Sequence, residues 1–197
     1  LSSDVRIDTD ETTATGTGGA DVLFTNDASI DSQASEANDL VLDAGVASVF
    51  FNEDIGAAAA TSELGRLEIE QADGGVTFGQ ADTETALTGS TGPLNAISLV
   101  GDGTVGNALD IGSLTTIQGT GIVFNGGTVT AGDRLTIETT NDAVRINGAV
   151  TLQTDVRIDT DVAAASNLEV GNVLFTNDAP IDSQLTEAND LVIDAGV

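Results

Sequence analysis

Apolar residues along the chain come in pairs two positions apart, and Gly, Asp, Asn or Thr flank most pairs. A period of two in short runs bounded by turn residues is typical of short β-strands with one buried face. No window has the spacing of a long amphipathic helix. We therefore predict an all-β chain. The pairs are Val5/Ile7, Val22/Phe24, Leu40/Leu42, Val49/Phe51, Leu67/Ile69, Val76/Phe78, Ile97/Leu99, Leu109/Ile111, Ile122/Phe124, Leu135/Ile137, Val144/Ile146, Val150/Leu152 and Val156/Ile158.

The pairs recur at an interval of 25 to 27 residues with matched residue types. This interval predicts a parallel β-helix, a β-solenoid in which each turn places its strand on the strand below, with the phenylalanines forming a ladder. About six rungs would then fill 151 residues and advance roughly 29 Å at about 4.8 Å per rung. An antiparallel sandwich also has many short strands, but it does not account for the interval. The matched residues are Phe24, Phe51 and Phe78 at 27, Leu40 and Leu67 at 27, Ile97 and Ile122 at 25, and Leu109 and Leu135 at 26.

Residues 1–46 recur without a gap as residues 152–197, at an offset of 151. Most aligned positions are identical, and the differences concentrate in residues 11–21. A segment that changes while its flanks stay fixed is typical of an exposed loop between packed strands. We divide the chain into one full tandem repeat, residues 1–151, and the first part of the next, residues 152–197, in one continuous solenoid. Because both ends fall inside the repeating pattern, we expect a section of a longer tandem array.

Composition narrows the possible partners. The net charge is −27, from 32 acidic and five basic residues, which argues against binding to nucleic acid or to anionic lipid. No apolar run approaches the roughly 20 residues of a membrane span, and no signal peptide is recognisable. The absence of Cys and Met removes their oxidation chemistry, which suits an extracellular, surface-exposed protein.

The residue types also restrict catalysis. Without His, Cys or Lys, the chain cannot form a Ser-His or Cys-His pair or a lysine Schiff base. Paired carboxylates could still hydrolyse glycosides, but the acidic residues are spread along the chain and return in the second copy. We therefore expect no catalytic residue and no enzymatic activity.

Acidic residues near the ends of the apolar pairs suggest a cation site. Calcium takes six to eight oxygen ligands, and two aspartates spaced by two would face the same side of a strand. The alternative is that these outward side chains are only solvated, since no stretch matches an EF-hand or a calcium-binding β-roll. The candidate calcium ligands are Asp8, Asp10, Asp27 and Asp31, with their repeats Asp159, Asp161, Asp178 and Asp182.

The runs NDLVLDAGVASVFFNEDIG, LGRLEIEQADGGVTFG, GIVFNGGTV and RINGAVTLQTDVRID resemble the repeats of filamentous haemagglutinin-like giant surface proteins of bacteria. The resemblance covers residues 22–158. It implies a right-handed parallel β-helix, export to the cell surface, and a role in adhesion or in building an extracellular fibre. The chain is more acidic than many repeats of that family, which puts the family's binding partners in question more than its fold.

These observations together lead us to expect a structural segment of a giant extracellular repeat protein that forms a fibre, stalk or sheath on a bacterial surface. Such a segment could self-associate into a filament or lateral array. One alternative is an adhesin whose outer loops, residues 11–21 and 81–93, bind a glycan or a receptor. A second is a β-helix enzyme that acts on polysaccharides.

Overall fold

The computed structural model describes residues 1–10, 18–25, 29–57, 59, 61–79, 94–101, 107–126, 134–140, 142–161, 171–177 and 179–196. These residues form strands, isolated bridges and turns, with no helix among them. Nothing in this part of the chain could therefore serve as a membrane-crossing helix. The prediction of an all-β chain is confirmed.

Fifteen strands lie in the described residues. All thirteen apolar pairs predicted to mark strands fall inside them, and strand β11 holds two pairs. The strands are β1 (Val5–Asp8), β2 (Val22–Phe24), β3 (Leu40–Asp43), β4 (Ser48–Phe51), β5 (Leu67–Gln71), β6 (Gly75–Gly79), β7 (Ala96–Leu99), β8 (Asn107–Ile111), β9 (Ile117–Asn125), β10 (Arg134–Thr139), β11 (Ala143–Leu152), β12 (Asp155–Asp159), β13 (Val173–Thr176), β14 (Ile181–Ser183) and β15 (Leu191–Asp194).

Every pairing between these strands is parallel, and the pairings fall into three series that we call stacks A, B and C. Stack A contains β1, β3, β5, β8, the first half of β11 and β13. Stack B contains β2, β4, β6, β9, the second half of β11 and β14. Stack C contains β7, β10, β12 and β15. Because β11 belongs to both A and B, those two stacks form one strongly curled sheet of eleven strands, beside a second sheet of four.

The core lies between the stacks and consists of the inward members of the apolar pairs. Leu42, Phe51, Ile69, Ile97 and Ile146 have no exposed surface. Each lies against the equivalent residue of the next strand in its stack, so the core is a set of apolar columns. Burial of this kind is the main favourable contribution to folding.

The predicted aromatic ladder is confirmed and is longer than expected. Phe24 and Phe51 stack at 5.1 Å between ring centroids, and Phe51 and Phe78 at 5.0 Å. Phe124 continues the ladder at 5.4 Å from Phe78, although it lies 46 residues further along the chain. The interval between stacked residues is therefore not constant.

Two of the pairings predicted from spacing are wrong for the same reason. Ile97 pairs with Ile137 rather than Ile122, and Leu109 pairs with Val144 rather than Leu135. In both cases the residue 25 or 26 positions away belongs to a different stack. Five strands of stack A fall within residues 1–151, where the spacing predicted about six rungs, because several connections are longer than 27 residues.

Stack C begins with single residues that have no period-two signal. Ile30 bridges Ile55, and Ile55 bridges Ile97 of β7. The bridges are completed by backbone hydrogen bonds, with Ile30 N donating to Asp54 O at 3.2 Å and Ile55 N to Ala96 O at 3.0 Å. An isolated isoleucine between turn residues cannot be recognised as a strand from its pattern, which is why sequence reasoning missed this part of the core.

The two copies of the repeated segment have the same local structure. Strands β1 and β3 pair in the same register as β12 and β15. The hydroxyl of Thr9 donates to Ala20 O, and that of Thr160 donates to Gly171 O, both at 2.7 Å. Further matched bonds run from Asp39 N to Asp4 Oδ1 at 3.0 Å and Asp190 N to Asp155 Oδ1 at 2.8 Å, and from Asn38 N to Ser32 Oγ and Asn189 N to Ser183 Oγ, each at 3.0 Å.

Removing a leucine from equivalent positions of the two copies should have unequal effects. Leu40 is 1% exposed because β5 covers β3, whereas its repeat Leu191 in β15 is only partly buried. We expect Leu40→Ala to lower the free energy of unfolding by about 2 to 5 kcal/mol, the range for a buried leucine, and Leu191→Ala to lower it by less than half as much. Urea denaturation followed by circular dichroism measures both, and equal losses would contradict the difference in packing.

Candidate functional site

The aspartates predicted to bind calcium in DVRIDTD form a local hydrogen bond at the end of their strand. Strand β1 ends at Asp8, so Asp10 lies beyond the strand. The carboxylate of Asp8 accepts the backbone N–H of Asp10 at 3.0 Å. Asp159 accepts the N–H of Asp161 at the same distance. In both copies this bond closes the turn that ends the strand.

Of the four remaining predicted ligands, Asp31 and Asp182 belong to the described residues. Asp31 follows Ile30 and accepts a hydrogen bond from the hydroxyl of Ser62 at 3.4 Å, while Asp182 lies in β14. Asp27 and Asp178 fall outside the described residues. Within the described part of the chain, no group of three or more acidic side chains is arranged to hold a metal ion. Specific calcium binding therefore stays a prediction.

Arginines on the outer face link carboxylates of neighbouring strands in a stack. Arg6 on β1 forms ion pairs with Asp8 at 3.4 Å, Asp43 at 3.6 Å and Glu70 at 2.7 Å. Glu70 makes the strongest of these contacts, and it holds the pKa of Arg6 above the ordinary arginine value. Because Arg6 is 46% exposed, we expect each pair to contribute little to stability, on the order of 0 to 1 kcal/mol.

The second copy repeats part of this arrangement on stack C. Arg157 on β12 pairs with Asp159 at 2.6 Å and with Asp194 on β15 at 3.4 Å. These contacts correspond to those of Arg6 with Asp8 and Asp43. Arg145 on β11 similarly reaches Asp110 on β8, with a distance of 2.6 Å. Arg6, Arg145 and Arg157 therefore each neutralise at least one nearby carboxylate.

Two carboxyl groups are held in unfavourable surroundings. Burial raises the pKa of Asp43 above its ordinary value, and the nearby carboxylates of Asp8 and Glu70 act in the same direction. Burial also raises the pKa of Glu63, and the charge of Glu138 adds to the effect. The outer face is therefore crowded with like charge even where arginine is present.

Each end of the described structure exposes the edge of the core. At the end formed by β13, β14 and β15, Ile181 is 39% exposed and Ile193 is 46% exposed. At the opposite end, a cavity of about 350 Å³ opens beside Phe24 and Ile30. In the second copy the residues equivalent to these two pair with Ile146 and Val150. The cavity beside the first copy therefore corresponds to the space that β11 occupies beside the second copy.

Several residues of the outer face carried no recognisable signal in the sequence. Glu70 is 64 positions from Arg6, and Asp110 is 35 positions from Arg145. Their proximity depends on which strands are neighbours in a stack. Only the flanking aspartates of the same strand, such as Asp8 beside Arg6, could be identified from the sequence.

The loops considered for glycan or receptor binding are mostly outside the described residues. These are residues 11–17 of the first loop and residues 81–93 of the second. Residues 18–21 of the first loop are described and precede β2.

Comparison of the chain with models of protein families, with curated proteins and with solved structures found no match.

Acidification should stabilise the fold, contrary to the behaviour of many proteins. A carboxyl with a raised pKa in the folded state binds a proton more readily there than in the unfolded chain, so stability falls as the pH rises through that pKa. We expect the melting temperature to increase as the pH falls from neutrality towards 3.8, the ordinary pKa of an aspartate, and Asp43→Asn to weaken this increase because it removes one such group. Differential scanning calorimetry across this pH range measures the effect.

The second copy offers a matched control for this experiment. Asp194 is the repeat of Asp43, but its side chain is 57% exposed. Asp194→Asn should leave the pH dependence close to that of the parent chain. A melting temperature that falls on acidification, or an equal effect of the two substitutions, would show that crowding at Asp43 is not the cause.

Proposed function

We propose that this chain is a section of a longer tandem array, and that the array forms a right-handed parallel β-helix serving as a fibre, stalk or sheath on a bacterial surface. The proposed role is mechanical. The observation that carries the proposal is the matched structure of the two copies, which share a strand register and a set of hydrogen bonds at an offset of 151 residues.

The exposed layer at β13 to β15 supports the proposal that the array continues. In the first copy, Phe24 is covered by Phe51 of β4, and Leu40 by Leu67 of β5. The equivalent residues of the second copy, Phe175 and Leu191, have no such cover within the described chain. A segment with the sequence of residues 48–71 would cover them in the same register. In the proposed array the next repeat supplies it.

The core supports a mechanical role through its continuity. Each inner strand is hydrogen-bonded to the strands before and after it in its stack, and the apolar columns run through the layers of the described chain. In such a linear arrangement each layer contacts only its neighbours, so length can increase without a new core design. The array is proposed to be extracellular, in keeping with the lack of Cys and Met and with the resemblance to filamentous haemagglutinin-like surface proteins.

The large negative charge fits this role. A net charge of −27 keeps such chains soluble and opposes lateral bundling unless cations screen it. Self-association into a lateral array would therefore depend on the ionic conditions. Calcium is one cation that the outer carboxylates could attract, either at specific sites or as diffuse screening.

Electron microscopy and fibre diffraction of the native material test this proposal. We expect thin unbranched filaments with a meridional reflection near 4.8 Å, the spacing of neighbouring strands. Because the core rather than metal holds the layers together, the filaments should persist in a calcium chelator. Globular particles without this reflection would contradict the proposal, and filaments that dissolve in chelator would assign the acidic residues a structural metal-binding role instead.

A further inference from the structure

The chain visits the three stacks in a fixed cyclic order. Among the described residues from β1 onward, it passes through A, then B, then C, and returns to A without skipping a stack. The successive visits are β1, β2, Ile30, β3, β4, Ile55, β5, β6, β7, β8, β9, β10, the first half of β11, the second half of β11, β12, β13, β14 and β15.

The two copies of the repeated segment begin on different stacks. Strand β1 lies in stack A and pairs with β3, whereas its repeat β12 lies in stack C, between β10 and β15. Three further pairs of equivalent residues change stack in the same cyclic direction. Phe24 lies in stack B and Phe175 in stack A, Ile30 in stack C and Ile181 in stack B, and Leu40 in stack A and Leu191 in stack C.

The number of stack visits accounts for this shift. Fourteen steps separate β1 from β12 in the cyclic order, and fourteen is not a multiple of three. We infer that one 151-residue repeat makes four and two-thirds cycles, so that each repeat starts a third of a cycle away from the one before it. Three repeats are then needed to restore the original orientation. The extension beyond two copies depends on the proposed tandem array.

The local contacts explain how one sequence can occupy two different stacks. The bonds that shape the repeated segment lie within it, such as those of Thr9 with Ala20 and of Thr160 with Gly171. Its contacts with the preceding layer require only inward apolar residues in register. In stack C, Leu135 of β10 is the inward apolar residue in register with β12. Stacks A and C are therefore interchangeable for the first strand of this segment.

The inference changes the expected surface of the array. With about 4.8 Å per layer, one repeat advances about 22 Å, and the orientation recurs after about 67 Å rather than after every repeat. An outward group of the repeated segment, such as Arg6 and Arg157, then appears on all three sides in succession. A partner that binds this segment could approach the array from any direction.

Disulfide formation between engineered cysteines tests the shift in the full chain, which has no natural cysteine. Thr151 on the second half of β11 is opposite Asp182 of β14 in stack B. If the repeat made a whole number of cycles, β13 would occupy stack B instead, and Leu174 would lie opposite Thr151. Directly opposed residues in neighbouring strands are close enough for a disulfide, whose Cα atoms are about 4.4 to 6.8 Å apart.

We expect Thr151→Cys with Asp182→Cys to form an intramolecular disulfide under mild oxidation, and Thr151→Cys with Leu174→Cys to form none, as measured by mass spectrometry after thiol alkylation. The opposite result would overturn the inference. The control is Leu23→Cys with Phe50→Cys, which lie opposite each other in β2 and β4. If the control disulfide forms and neither test disulfide does, the second copy does not pack on β11. The inference then fails, while the proposed function does not fail with it. If the control also fails, the parallel stacking and the proposed function fail with it.

Discussion

The fold depends on parallel pairing between segments that are far apart in the sequence. Each strand finds its partner 21 to 46 residues away, so the backbone hydrogen bonds and the apolar contacts form only when a whole cycle is completed. A strand cannot be stable by itself because its bonding groups face the layers on either side. This constraint places every inward side chain opposite its counterpart, and it explains both the columns of the core and the exposed residues at each end.

The same constraint decides what the sequence could predict. The inward pairs, such as Val49 with Phe51, were recognisable because a strand buried on one face alternates in polarity. The ladder from Phe24 to Phe78 was recognisable because two successive cycles have equal length. Phe124 was not, since a longer connection precedes it and no local pattern encodes which distant strand it will meet. The partners of Arg6 and Arg145 were hidden for the same reason.

The candidate cation site illustrates a further limit of local reasoning. The spacing of two predicts that both aspartates lie on one face of a strand, but it does not indicate where the strand ends. In both copies the strand ends before the second aspartate, and the carboxylate of Asp8 or Asp159 accepts a hydrogen bond from the backbone N–H of the residue two positions on. Acidic side chains of the described residues form hydrogen bonds within turns and ion pairs with arginines, and calcium binding stays a prediction. Burial and then the like charges nearby raise the pKa of Asp43, so the outer face combines local hydrogen bonds with a repulsion that Arg6 only partly offsets.

The unequal lengths of the connections have a consequence for how such a protein can change. Phe51 and Phe78 are 27 residues apart, Phe78 and Phe124 are 46 apart, and yet the ring spacings differ by only 0.4 Å, from 5.0 to 5.4 Å. The length of chain between two layers is thus independent of the distance between them. Insertions and deletions between strands can accumulate during evolution without disturbing the columns, provided that the inward residues keep their register. For the same reason, peptides could be grafted into the connections between strands, provided that the inward residues keep their register.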